Sequence, residues 1–94
     1  MPYFALMYDV VDNFTERRMP LRPDHLRAVN EAHARGELVL AGALTDAPQA
    51  ALLVFKVPDA AVVERFAQAD PYVTGGLVRQ WRVRPWAVVV PPPT

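Results

Sequence analysis

Apolar residues fall along this chain in two rhythms, and the alternation between them predicts the fold. Tyr3 to Val10 is short and almost wholly apolar or aromatic, the pattern of a buried strand. Asp9 to Arg22 is polar and irregular and reads as a long loop with one helical turn at Thr15–Arg18. Pro23 suits a first helical position, where its missing N–H costs nothing, and the helix runs to about Arg35 and stops at Gly36. On a helical wheel Leu26, Val29 and Ala32 share one face, with Asp24, Arg27, Asn30 and Glu31 opposite. His25 falls between Val29 and Ala32, and His33 near Leu26, so both imidazoles are expected to point toward the sheet.

The second half repeats the alternation. Glu37 to Leu44 reads as a strand containing Gly42, and an interior glycine marks a bulge or a close approach. Thr45 to Gln49 is a turn, and Ala51 to Val57 a third, almost wholly apolar strand. Pro58-Asp59 opens a second helix with Asp59 as N-cap and Val62, Val63, Phe66 and Ala69 facing inward. Pro71 crowds Asp70 out of the helical region, so this helix ends at about Ala69 and the Asp70 carboxylate sits at a fixed bend beside Tyr72. Gly75 and Gly76 turn the chain into a fourth strand, Leu77 to Arg84, alternating Trp81 and Val83 with Gln80, Arg82 and Arg84. Trp86 to Val90 could extend it past a kink at Pro85.

The order β-α-β-β-α-β predicts a ferredoxin-like α+β domain over residues 1–90, an antiparallel sheet with both helices on one face, followed by a proline-rich tail at 91–94. The strands are apolar on both sides, so the face without helices needs a cover. A homodimer packed sheet against sheet is expected, with Ala87-Val88-Val89-Val90 available to reach across.

Composition narrows the function. Ten Lys and Arg balance ten Asp and Glu, so no long-range field favours nucleic acid or an acidic membrane. No apolar run approaches the ~18 residues that span a bilayer, and the N-terminus carries no secretory pattern, so the expected location is the cytoplasm. The chain has no cysteine, which excludes disulfides, thiolate catalysis and Cys-ligated metals. The two histidines lie too far apart for a helical metal pair, and no cofactor is expected.

Acid–base chemistry is left. His25 in the first helical turn and Asp70 after the second helix meet only if the loops bring them together; periodicity alone does not place them in contact. If they meet, the carboxylate orients the imidazole, which moves a proton to or from a bound organic molecule. Arg17, Arg18 and Arg22 form a basic approach to the same helix start and are candidates to clamp a ligand carboxylate. Tyr72, Trp81 and Trp86 are candidates to wall an apolar pocket. Each residue also has an ordinary structural reading: a turn aspartate, a core-edge histidine, a solvated loop, core aromatics.

Taken together, Arg18-x-x-x-Arg22-x-x-His25-Leu26, Gly36, Ala41-Gly42, Asp70-Pro71-Tyr72, Gly76-Leu77 and Arg84-Pro85-Trp86 resemble the YCII-related (YciI-like) family over roughly residues 3 to 86. The resemblance implies a dimeric α+β barrel of ferredoxin-like subunits with a histidine and an aspartate in its proposed active site, here His25 and Asp70. It also implies affinity with dehydrochlorinases of chlorinated ring-degradation intermediates and with muconolactone isomerase-like proteins. The expectation is a cofactor-free elimination or isomerisation on a small organic acid or lactone. His25 would be acid or base, Asp70 its orienting partner, Arg18 and Arg22 the anion anchor, and Tyr72 and Gly42 further ligand contacts. A non-catalytic ligand-binding dimer and a dimeric-barrel monooxygenase are the alternatives.

Overall fold

A computed structural model describes residues 1–92, so Pro93 and Thr94 of the proline-rich tail lie outside the described residues. The elements are β1 (Tyr3–Val10), α1 (Phe14–Arg17), α2 (Arg22–Ala34), β2 (Leu38–Leu44), β3 (Ala50–Lys56), α3 (Ala60–Ala69), α4 (Pro71–Thr74) and β4 (Val78–Trp86). The four strands form one antiparallel sheet in the order β2-β3-β1-β4, the ferredoxin-like arrangement with the first and third strands central. No helix among the described residues is long and apolar enough to cross a membrane.

Alternation along the strands separates two faces. Phe4, Leu6, Tyr8 and Val10 of β1 and Leu53 and Phe55 of β3 turn to the helices and form the core with Ala32, Val63 and Ala67. Trp81 pairs with Tyr8 and Val83 with Leu6, so these β4 residues share that face and pack on the core. The opposite face carries Met7, Leu52, Leu40 and Leu44, which pairing places on the same side. Leu40 is 69% exposed and Leu44 53%, while Ala5 and Val54 on the same side are buried, so this apolar face is open along β2 in the isolated chain.

Several expectations need correction. The chain after Asp70 is not a simple bend: Pro71–Thr74 is a helical turn, with Pro71 at its start and the Asp70 carboxylate capping it through the Tyr72 N–H at 3.0 Å. Four residues show no periodicity, which is why the pattern hides it. β4 passes through Pro85, which pairs with Phe4, and stops at Trp86; Ala87–Val90 does not extend it. Proline is tolerated there because β4 is an edge strand. The irregular pairing in β2 falls at Val39, between Leu38 and Leu40, not at Gly42, where an added Cβ would meet only open space. His33 does not enter the interior: the residue is exposed, and its Nδ1–H donates to the Leu38 carbonyl at 2.7 Å, tying the end of α2 to β2. Leu26 is 38% exposed because it stands over a cavity rather than in the core.

Candidate active site

Local backbone geometry brings three distant segments together. Asn13 adopts a left-handed conformation (φ 58°), which asparagine tolerates, and turns the chain from β1 into α1 so that Phe14 is buried. Arg18 follows α1, and its guanidinium lies 5.5 Å from the Phe14 ring centroid. Leu21 leads into α2, which carries Arg22 and His25 in its first turn. Gly75, after α4, touches Leu21: a Cβ there would overlap Leu21 Cδ1 and lie 2.7 Å from the Pro71 carbonyl oxygen. The absence of a side chain at Gly75 therefore lets α4 close against the start of α2.

At that junction Asp70 is 1% exposed and fully engaged. His25 Nδ1 lies 2.8 Å from Asp70 Oδ1, which also accepts the Tyr72 N–H. Asp70 Oδ2 accepts the Tyr8 hydroxyl at 2.7 Å. An ionised carboxylate only accepts, so an ionised Asp70 assigns the His25 proton in this contact to Nδ1 and leaves Nε2 for a ligand. The imidazole stacks on Tyr72 with centroids 3.7 Å apart and planes 12° from parallel, and Phe14 meets Tyr72 edge-on at 5.3 Å.

These groups border a partly open cavity of about 160 Å³. Phe14, Leu26, Val29 and Leu53 give it apolar walls, Arg18, Arg22, His25 and Tyr72 its polar groups, and Ala41, Gly42 and Ala43 one rim. An apolar cavity of about 150 Å³ is known to hold one benzene-sized ring. Among the described residues, two buried side-chain polar atoms have no hydrogen-bond partner, Arg18 Nε and the Tyr72 hydroxyl, and both residues line this cavity. Buried polar groups are rarely left unpaired. Burial pushes the Tyr72 phenol up; the Arg18 and Arg22 charges oppose it without reversing it. Arg22 faces that hydroxyl outside hydrogen-bond geometry. Burial foremost, and then the Asp70 charge and hydrogen bond, push the Tyr8 phenol up. Both tyrosines therefore stay protonated, as donors, at neutral pH.

Of the sequence candidates, Arg18, Arg22, His25, Gly42, Asp70 and Tyr72 converge on this junction, with Asp70 reached through His25. Arg17 is exposed and does not line the cavity, and neither Trp81 nor Trp86 does; Trp81 packs on the core and Trp86 is half exposed. No group of three or more His, Asp or Glu side chains suited to hold a metal occurs among the described residues. Sequence reasoning missed the Tyr8 contact to Asp70. The two are 62 positions apart, and nothing short of strand pairing places Tyr8 beneath α4.

A family model for the YCII-related domain matches residues 1–87. The chain belongs to the YCII-related family. No curated protein matches this YCII-related chain in sequence. Among solved structures it is similar to 5-chloro-2-hydroxyhydroquinone dehydrochlorinase (TftG) from Burkholderia phenoliruptrix AC1100, determined in complex with 2,5-dihydroxybenzoquinone. The TM-score is 0.80 at 16% identity, over 97% of this chain and 99% of that one. It is also similar to an antibiotic biosynthesis monooxygenase, with a TM-score of 0.56 at 14% identity over 95% and 99% of the two chains. A further similar structure is PA3566 from Pseudomonas aeruginosa, with a TM-score of 0.55 at 11% identity over 94% of each chain. At these identities the YCII-related chain shares a fold with all three.

Proposed function

We propose that this YCII-related chain is a cofactor-free acid–base enzyme acting on a small, anionic, single-ring organic acid, quinone or lactone. The observation that carries the reading is the His25–Asp70 contact of 2.8 Å on the wall of a ring-sized cavity. Arg18 Nε and the Tyr72 hydroxyl, unpaired in that cavity, suit a ligand oxygen, and Arg22 adds a second guanidinium.

With its proton fixed on Nδ1, His25 presents Nε2 as a base. It takes a proton from carbon next to a ligand carbonyl, and the C–H electron pair moves onto the carbonyl oxygen. The Arg18 and Tyr72 donors hold the resulting enolate. Its collapse expels a leaving group from the neighbouring carbon, an elimination, or recovers the His25 proton at another carbon, an isomerisation. The likeness of fold to a dehydrochlorinase supports the elimination branch. The cavity is small and partly polar and carries the His25–Asp70 contact, which speaks against the monooxygenase alternative. The assembly in this reading is a homodimer that covers Met7, Leu40, Leu44 and Leu52.

The experiment is steady-state turnover of halogenated hydroxyquinones and muconolactone-type lactones by the wild type and His25→Ala. Turnover lost in His25→Ala supports the enzyme. Binding without turnover, with His25→Ala affecting affinity alone, assigns the cavity to a non-catalytic ligand-binding dimer.

A further inference from the structure

We infer that Tyr8 is a positioning residue for the proton on His25. The inference rests on the reading of His25 and Asp70 as a proton-transfer pair and adds a third member from the central strand of the sheet.

Tyr8 is fully buried and does not line the cavity, so it has no route to a ligand except through Asp70. Its hydroxyl donates to Asp70 Oδ2 at 2.7 Å while His25 Nδ1 and the Tyr72 N–H converge on Oδ1. Each donor has a defined effect on the carboxylate. The Tyr72 N–H belongs to the cap of α4 and fixes the position of Oδ1. The Tyr8 hydroxyl fixes the rotation about the carboxylate by holding Oδ2. Without it, a carboxylate in this buried place has one oxygen unserved, and nothing holds it against rotation. Rotation moves Oδ1 out of line with Nδ1 and weakens the preference for the Nδ1–H tautomer, and the imidazole then shares its proton between Nδ1 and Nε2. Tyr8 itself stays a donor at neutral pH, because burial disfavours its phenolate. A tyrosine on a rigid central strand thus decides which imidazole nitrogen is free to act as base. At metal sites, partners that orient a ligating histidine from behind cost about 10- to 100-fold in affinity or activity when removed, and a loss of that order is the expectation for the same geometry here.

The test reads the His25 tautomer in the ligand-free protein, by two-bond 1H–15N correlation spectra of histidine-labelled wild type, Tyr8→Phe and Tyr72→Phe at a pH where the imidazole is neutral. The wild type is expected to show a single tautomer with Nδ1 protonated. Tyr8→Phe is expected to show averaged nitrogen shifts, and Tyr72→Phe, which keeps the backbone N–H to Asp70, to match the wild type. A folded Tyr8→Phe with the wild-type tautomer overturns the inference. Should Tyr8→Phe not fold, site-specific 3-fluorotyrosine at position 8 replaces it. Its more acidic hydroxyl competes harder for Asp70 and is expected to move the His25 Nδ1 proton resonance upfield; an unmoved resonance overturns the inference. No substrate enters these spectra, so a chain that turns nothing over can still pass, and an active enzyme can fail. In an active enzyme Tyr8→Phe lowers kcat about 10- to 100-fold with KM unchanged.

Discussion

Tyr72→Phe separates what the site needs from what the fold needs. The ring is buried between the His25 imidazole and Phe14, and phenylalanine keeps both contacts. The change removes a hydroxyl that is buried and has no partner among the described residues. A buried hydroxyl without a partner costs about 1–3 kcal/mol in protein mutational series. Deleting it while keeping the shape should stabilise the chain by a similar amount. For a domain of this length about 1 kcal/mol corresponds to about 4–8 °C in Tm. Ligand affinity should fall at the same time, because a hydrogen bond to an ionised oxygen is worth about 1.5–3 kcal/mol, roughly 10- to 100-fold in Kd. The assays are urea unfolding of the ligand-free protein and calorimetric titration with 2,5-dihydroxybenzoquinone, the ligand bound by the structural neighbour. Greater stability with weaker binding is the expected pair. A Tyr72→Phe protein destabilised by about 1 kcal/mol or more shows that the hydroxyl is already satisfied, and refutes its assignment to the ligand.

Further changes probe other parts of the site. Asp70→Ala strips the acceptor from Tyr8, His25 and the α4 cap together, and should cost about 3 kcal/mol or more in urea unfolding, the sum of a lost cap and a buried donor left unpaired. Above pH about 10 the unfolded state sheds its Tyr8 proton while the folded state keeps it, so stability falls as pH rises. The fall is about 1.4 kcal/mol per pH unit for this group, and Tyr8→Phe should show a slope shallower by that amount. Gly75→Ala pushes Leu21 and the start of α2 away from α4, and should lower both stability, by about 1–3 kcal/mol, and ligand affinity, read by unfolding and titration. Leu40→Glu puts a charge on the open sheet face, and sedimentation should show the wild type as a dimer and the variant as a monomer.

Much of the frame is readable because its signals are local. The β-α-β-β-α-β order follows from short apolar runs, from Gly36 after α2 and from Pro71 after α3, each of which acts within a residue or two. The same proline hides α4, since a single helical turn capped by Asp70 leaves no repeat to detect. Gly42 misleads for a related reason: open space beside the cavity tolerates a glycine as well as a bulge requires one. The candidates near α2 could be listed from residue type, but their convergence depends on Gly75 fitting against Leu21, a contact between segments more than 50 positions apart. Tyr8 is the clearest case of non-local information. In sequence it is one aromatic in an aromatic strand; strand order and register place it under Asp70.

The most direct measurement of His25 as a proton-transfer base needs no knowledge of the full reaction. Enolisable hydroxyquinones and lactones are incubated with the protein in D2O, and loss of their acidic C–H signals is followed by proton NMR. The His25–Asp70 pair predicts deuterium entry with the wild type well above the rate with His25→Ala. Ligands that bind, as seen by line broadening, but exchange no faster with the wild type than with His25→Ala would contradict it.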